Sequence, residues 1–125
     1  MTTRVLIVED DRHIVELLTF VLEHEHYAVS TAADGEAALA RLQSDPPDVM
    51  ILDVMLPRMN GFEVLKAVRA DARLKHLPII VLTAKGQAQD RRTAEALGIE
   101  EFMTKPFSNQ DVVASVRRVA GSLRR

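Results

Sequence analysis

Acidic residues follow two of the most apolar runs in the chain. Leu6-Ile7-Val8 leads into Glu9-Asp10-Asp11, and Val49-Met50-Ile51-Leu52 into Asp53. A third run, Ile79-Ile80-Val81-Leu82, ends at the hydroxyl of Thr83, and the more mixed Glu101-Phe102-Met103-Thr104 runs into Lys105-Pro106. Three carboxylates gathered closely repel one another by several kcal/mol at a protein-like dielectric, so they stay ionised together only around a cation. Oxygen-only ligands favour Mg²⁺ or Mn²⁺ in an open octahedral site that keeps several waters. A single acid at a strand end is weak evidence, because Asp and Glu cap helices there routinely, and Asp11 fits that role. The combination of two acids, a third after an apolar tetrad, a hydroxyl and a Lys-Pro is much harder to obtain by chance.

Those residues need elements that bring them to one place. Val5–Val8, Val49–Leu52 and Ile79–Leu82 read as strands covered on both faces, the mark of a parallel sheet. Tyr27–Ala32 and Glu101–Thr104 alternate imperfectly, as edge strands do. Between them Ile14, Leu17, Leu18, Val21 and Leu22 keep helical spacing. Further helices are predicted over Glu36–Leu42, Gly61–Arg73, Gln87–Leu97 and Ser108–Ala120, with Ser108 as a cap. The fourth offers mainly Ala88, Ala94 and Leu97 as inward residues, so it is held weakly and is the element expected to move. Five βα units imply a doubly wound parallel sheet of flavodoxin-like order 2-1-3-4-5 with five helices on both faces. In such a sheet ligands bind at the carboxyl ends of the strands, which puts Glu9, Asp10 and Asp53 on one rim.

Composition narrows the function. The chain has 125 residues, which suits one domain over 1–125 with a core of about 3–121. Sixteen Lys and Arg against 18 Asp and Glu leave a net charge of −2, which argues against a dedicated nucleic-acid module. With no cysteine, disulfides and thiol chemistry are excluded. No apolar run suits a membrane span or a secretory signal, so a cytoplasmic domain without a membrane partner is expected. The basic pairs Arg117-Arg118 and Arg124-Arg125 read as a solvated helix end. His13, His24, His26 and His76 read as surface residues, with His13 next to the acidic rim.

The strings Leu6-Ile7-Val8-Glu9-Asp10-Asp11, Asp53-Val54-Met55-Leu56-Pro57, Met59-Asn60-Gly61, Leu82-Thr83-Ala84 and Lys105-Pro106-Phe107 resemble, in order and spacing, the receiver domain of bacterial two-component response regulators. The resemblance covers essentially the whole chain. It implies that Asp53 is the phosphoacceptor and that Glu9, Asp10, Asp53 and the backbone carbonyl of Met55 hold Mg²⁺. It implies that Lys105 stabilises the phosphoryl charge, that Thr83 donates its hydroxyl to it, and that Pro106 is a cis proline. Phe102 resembles the switch aromatic that turns inward as Thr83 moves, and the fourth helix, fifth strand and fifth helix form the responding face. Met55 and Lys85 lie where receivers vary, and they influence how long a phosphate lasts. The partners implied are a sensor histidine kinase or phosphotransfer protein and a downstream effector or covalent output domain.

Receivers that dimerise usually pair charges across that face. Arg91 with Asp111 fits such a pair, and Glu101 and Arg117 contribute charge, but Ser115 stands where a basic residue is usual. A monomer is therefore the expectation and a phosphorylation-dependent dimer the alternative. Other functions fit less well. A Mg²⁺-dependent phosphohydrolase working through an aspartyl phosphate needs a second carboxylate two residues after the nucleophile, where Met55 stands. A nucleotide- or flavin-binding protein would show a glycine fingerprint that is missing here. A docking scaffold without phosphorylation would not need the complete set of Asp10, Asp53, Thr83 and Lys105. A signalling receiver, not a turnover enzyme, is the reading expected.

Overall fold

The computed structural model describes residues 2–84 and 88–121. Lys85, Gln87 at the predicted start of the fourth helix, and the Arg124-Arg125 pair lie outside the described residues. In chain order the elements are β1 (Arg4–Val8), α1 (Arg12–His24), β2 (Ala28–Ala32), α2 (Gly35–Ser44) and β3 (Val49–Leu52). They continue with α3 (Gly61–Ala70), β4 (Ile79–Thr83), α4 (Ala88–Leu97), β5 (Glu101–Thr104) and α5 (Asn109–Gly121). All four strand pairs are parallel, and the sheet order is β2-β1-β3-β4-β5, the doubly wound order expected.

Strand alternation divides the core in two. Leu6, Val8, Met50, Leu52, Ile79 and Val81 face α2, α3 and the single buried residue of α4, Ala94. Val5, Ile7, Val49, Ile51, Ile80 and Leu82 face Leu18 and Leu22 of α1 and the valines of α5. Burial on both faces is why these strands read as unbroken apolar runs. The register ties their ends together: Val8 lies opposite Ala32 and Leu52, Leu52 opposite Val81, and Thr83 opposite Thr104. The residues that follow the strands therefore emerge along one lip.

Helix starts are fixed by side-chain caps. Asp11 accepts from the amides of His13 and Ile14, Asp34 from Ala37, Asn60 from Glu63, and Ser108 from Asp111. Each such cap contributes about 1 kcal/mol. The sequence expectation ran three residues too far in α3, which ends at Ala70. There the Asp71 carboxylate accepts the Arg73 amide at 2.8 Å and turns the chain. β2 starts at Ala28, one residue late, because His26 adopts φ 71° and the Tyr27 amide still bonds to Leu22 O of α1. In α4, Ala88 is exposed and Leu97 half-buried. The helix is even more lightly packed than its sequence suggested.

Candidate functional site

β1 and β3 are central neighbours, and the ladders of β1 with β3 and with β2 each continue one step beyond the strands. The Asp53 amide donates to Val8 O at 3.0 Å, while the Glu9 amide donates to Ala32 O at 3.0 Å. Both side chains are thereby carried to the lip on rigid backbone. Glu9 and Asp53 are each only 3% exposed, whereas Asp10 faces solvent. One oxygen from each of Glu9, Asp10 and Asp53 lies within 4.8 Å of the others. This is the trio expected from the sequence.

Backbone amides orient the two buried acids. Glu9 Oε2 accepts from the Asp11 amide at 3.1 Å, and Asp53 Oδ1 from the Met55 amide at 2.8 Å. Their remaining oxygens meet Lys105, whose Nζ lies 2.6 Å from Glu9 Oε1 and 3.0 Å from Asp53 Oδ2. Lys105 is itself fixed by its amide, which donates to Thr83 O at 2.9 Å, and the Lys105–Pro106 peptide bond is cis. Thr83 is fully buried at the end of β4. Met55 is 48% exposed on the loop after Asp53. Phe102 is half-buried against the α2–α3–α4 side of the core, with the Arg91 guanidinium 5.6 Å from its ring centre.

Electrostatics at the lip follow from burial. Desolvation pushes the Glu9 carboxyl up to about 7, the charge of Asp53 adds to this, and hydrogen bonds from Lys105 and Asp11 offset part of it. Burial also pulls the Lys105 ammonium down, but its bonds to Glu9 and Asp53 outweigh this and leave its pKa above the ordinary value. One ammonium cannot neutralise three carboxylates. The donor set is all oxygen, anionic and partly open to solvent through Asp10, which fits a hard divalent cation.

Gly61 has a role the sequence reading did not assign. A Cβ there would lie 2.4 Å from Val54 Cα and 2.6 Å from Asp53 O, so only glycine lets α3 start this close to the Asp53 segment. The available signal was a glycine directly after the capping residue Asn60, where most helices tolerate a side chain. All four histidines are exposed. Three of the charges considered for pairing between molecules, Arg91, Arg117 and Glu101, are engaged within the chain. Arg91 pairs with Glu95, Arg117 with Glu25, and Glu101 with Arg118 and Ser115.

A lip of this composition on a sheet of this order has the architecture of CheY-like receiver domains. The chemotaxis protein CheY4 of Vibrio cholerae superposes with a TM-score of 0.89 at 36% identity, covering 95% of this chain and 99% of that one. The chain belongs to the response regulator receiver domain family, whose match spans residues 5–117. It is 42% identical over 119 residues to the alkaline phosphatase synthesis transcriptional regulatory protein PhoP of Bacillus subtilis, covering 95% of this chain and 49% of that protein. It is 40% identical over 116 residues to the transcriptional regulatory protein CpxR of Escherichia coli, covering 93% of this chain and 48% of that protein. The chain thus spans about half the length of these relatives. Among the described residues no helix is long and apolar enough to cross a membrane.

Proposed function

We propose that this chain, over about residues 3–121, is a phosphorylation-dependent signalling receiver with Asp53 as its phosphoacceptor. The observation that carries this reading is the Asp53 carboxylate, buried beside Glu9 and Asp10 and bridged by Lys105 at 3.0 Å. The donor is a phosphohistidine of a sensor histidine kinase or phosphotransfer protein, or a small acyl phosphate. An Asp53 oxygen attacks phosphorus, the bond from phosphorus to the donor breaks, and the donor leaves with that electron pair. Mg²⁺, or Mn²⁺ in its place, held by Glu9, Asp10, Asp53 and the Met55 backbone carbonyl, supplies neutralisation of the phosphoryl charge. Lys105 places a cation beside the new oxyanion, and the Thr83 hydroxyl donates to another phosphoryl oxygen.

The response follows from the two sides of β4. Movement of Thr83 towards the phosphoryl group vacates space that Phe102 fills, and the α4–β5–α5 face changes shape for a downstream effector or covalent output domain. A charge change at Asp53 acts at a distance only by biasing an element with two arrangements, and lightly packed α4 is that element. The chain works in the cytoplasm, as a monomer or as a dimer formed on phosphorylation, and without a nucleic-acid contact of its own. It accepts and then loses one phosphoryl group instead of turning over substrate.

Incubation with Mg²⁺ and acetyl phosphate, read by intact mass, tests this. The parent should gain one phosphoryl group and the Asp53→Ala variant none. Equal labelling of both would overturn the assignment, and sustained phosphate release at enzyme-like rates would favour a hydrolase.

A further inference from the structure

Arg69, near the end of α3, spends its guanidinium on backbone carbonyls far from the acidic lip. Its side chain is only 17% exposed. Nε donates to Gly98 O at 2.8 Å, and Nη2 donates to the same oxygen. Nη1 donates to Lys75 O at 3.0 Å and to Leu77 O at 2.7 Å. Nη2 also lies 3.6 Å from Glu100 Oε1, which in turn accepts the Ile79 amide at 2.7 Å. One side chain thus ties the end of α3, the segment entering β4, the end of α4 and the approach to β5. The planar five-donor fork of arginine suits this task, and an ammonium would not reach all these acceptors at once. Gly98 closes α4 with φ 90°, its amide bonded to the carbonyls of Ala94 and Glu95 at 3.1 Å.

The opposite end of α4 is held otherwise. As the return limb of a parallel crossover, α4 begins near the lip, where Thr83 ends β4, and finishes at the far edge, where Glu101 opens β5. Ala88, Gln89, Arg91, Arg92 and Thr93 are exposed, and Ala94 is the helix's one buried residue. The Arg91–Glu95 pair at 3.4 Å and the Thr93 hydroxyl bond to Gln89 O at 3.0 Å stay within the helix. Exposed pairs of this kind hold little. Two of these side chains reach beyond the helix: Arg91 lies over the Phe102 ring, and Ala94 packs into the core.

We propose that Arg69 is the pivot of α4: it fixes the helix's C-terminal end to α3 and the β4 entry, so that any displacement is a swing of the first two turns instead of a slide. The fixed end is a property of the resting chain. Its use as the axis of a phosphorylation response rests on the function proposed above.

Residue-resolved amide exchange on the whole chain without metal tests the pivot. The amides of Ala96, Leu97 and Gly98 should exchange at least about tenfold more slowly than those of Arg92 and Thr93. Arg69→Gln should erase that gap, and Arg69→Lys, which keeps the charge and loses the fork, should erase most of it. Amides of β1 and β3 serve as the fold control. If Arg69→Gln does not fold, the parent's gradient and the lysine variant decide. A flat parent profile, or a gap unchanged in the folded variants, overturns the pivot. With Mg²⁺ and beryllofluoride added, change concentrated at Arg91–Thr93 supports it, and an equal change along all of α4 overturns it. No change anywhere in α4 would count against the proposed function, while the metal-free profile still decides the pivot.

Discussion

Two parts of the molecule repeat the same βα unit and are packed in opposite ways. In the centre, every residue of Val5–Val8, Val49–Leu52 and Ile79–Thr83 is buried, and large side chains from helices cover both faces. On the flank, α4 buries Ala94 alone, and no residue of β5 is fully buried. The centre carries Glu9, Asp53 and Thr83 on strands that cannot shift without opening the core. The flank is joined to that centre by the β4–β5 ladder and by side chains such as Leu97, Phe102 and Met103 that are only partly buried. A site that must hold acids close together needs the first kind of packing, and a surface that reports on the site needs the second.

The largest test of this contrast is truncation on each side. Leu52→Ala, at a fully buried β3 position one residue before Asp53, should cost about 2–5 kcal/mol in denaturant unfolding. Leu97→Ala in half-buried α4 should cost about 1 kcal/mol, since much of that side chain already meets water. Equal losses would erase the distinction between the two regions. Gly61→Ala comes next, at about 1–3 kcal/mol, because the new Cβ must push Val54 and the Asp53 carbonyl aside. Its readout is double: a lower unfolding midpoint, and weaker Mg²⁺ binding as the Asp53 segment shifts.

Much of this contrast was legible in the sequence. The three apolar tetrads announced strands buried on both faces, and the acids after two of them announced the lip, because a period and a neighbour are local signals. The small residues of α4 announced a weak helix for the same reason. What stayed hidden depends on contacts between distant segments. Arg69 reads as an ordinary helix-surface arginine until Gly98 and Leu77 are brought to it. Gly61 reads as a helix start until α3 is packed against Val54. Lys105 was expected to meet a phosphoryl oxygen, and its 2.6 Å bond to Glu9 follows from the way β5 lies beside β4.

Two acids whose pKa values move in opposite directions carry the contrast down to its smallest effect. Burial raises Glu9 to about 7 from an ordinary 4.5, so below 4.5 it is protonated in both states and costs nothing. As pH rises through 7, keeping its charge in the folded state lowers stability. In metal-free buffer Glu9→Gln should therefore stabilise the chain at pH 8, by about 1–3 kcal/mol, and the gain should fade towards pH 4.5. Glu101 behaves in the reverse sense, because the hydrogen bond from Arg118 is the largest influence and holds its carboxyl below the ordinary value, with Ser115 adding to it. Its contribution is complete above the unfolded value near 4.5 and is lost as pH falls through the lower folded value. Glu101→Gln should lower stability at pH 7 by about 0.5 kcal/mol, the size of a partly exposed ion pair, and the difference should vanish in acid. Thermal melts of both variants from acid below pH 4.5 up to pH 8 would show the Glu9→Gln difference growing between 4.5 and 7 and the Glu101→Gln difference shrinking below 4.5, with opposite signs. Two curves of the same sign would mean that the lip and the flank bear their charges alike, and that the core beneath Glu9 does not set its cost.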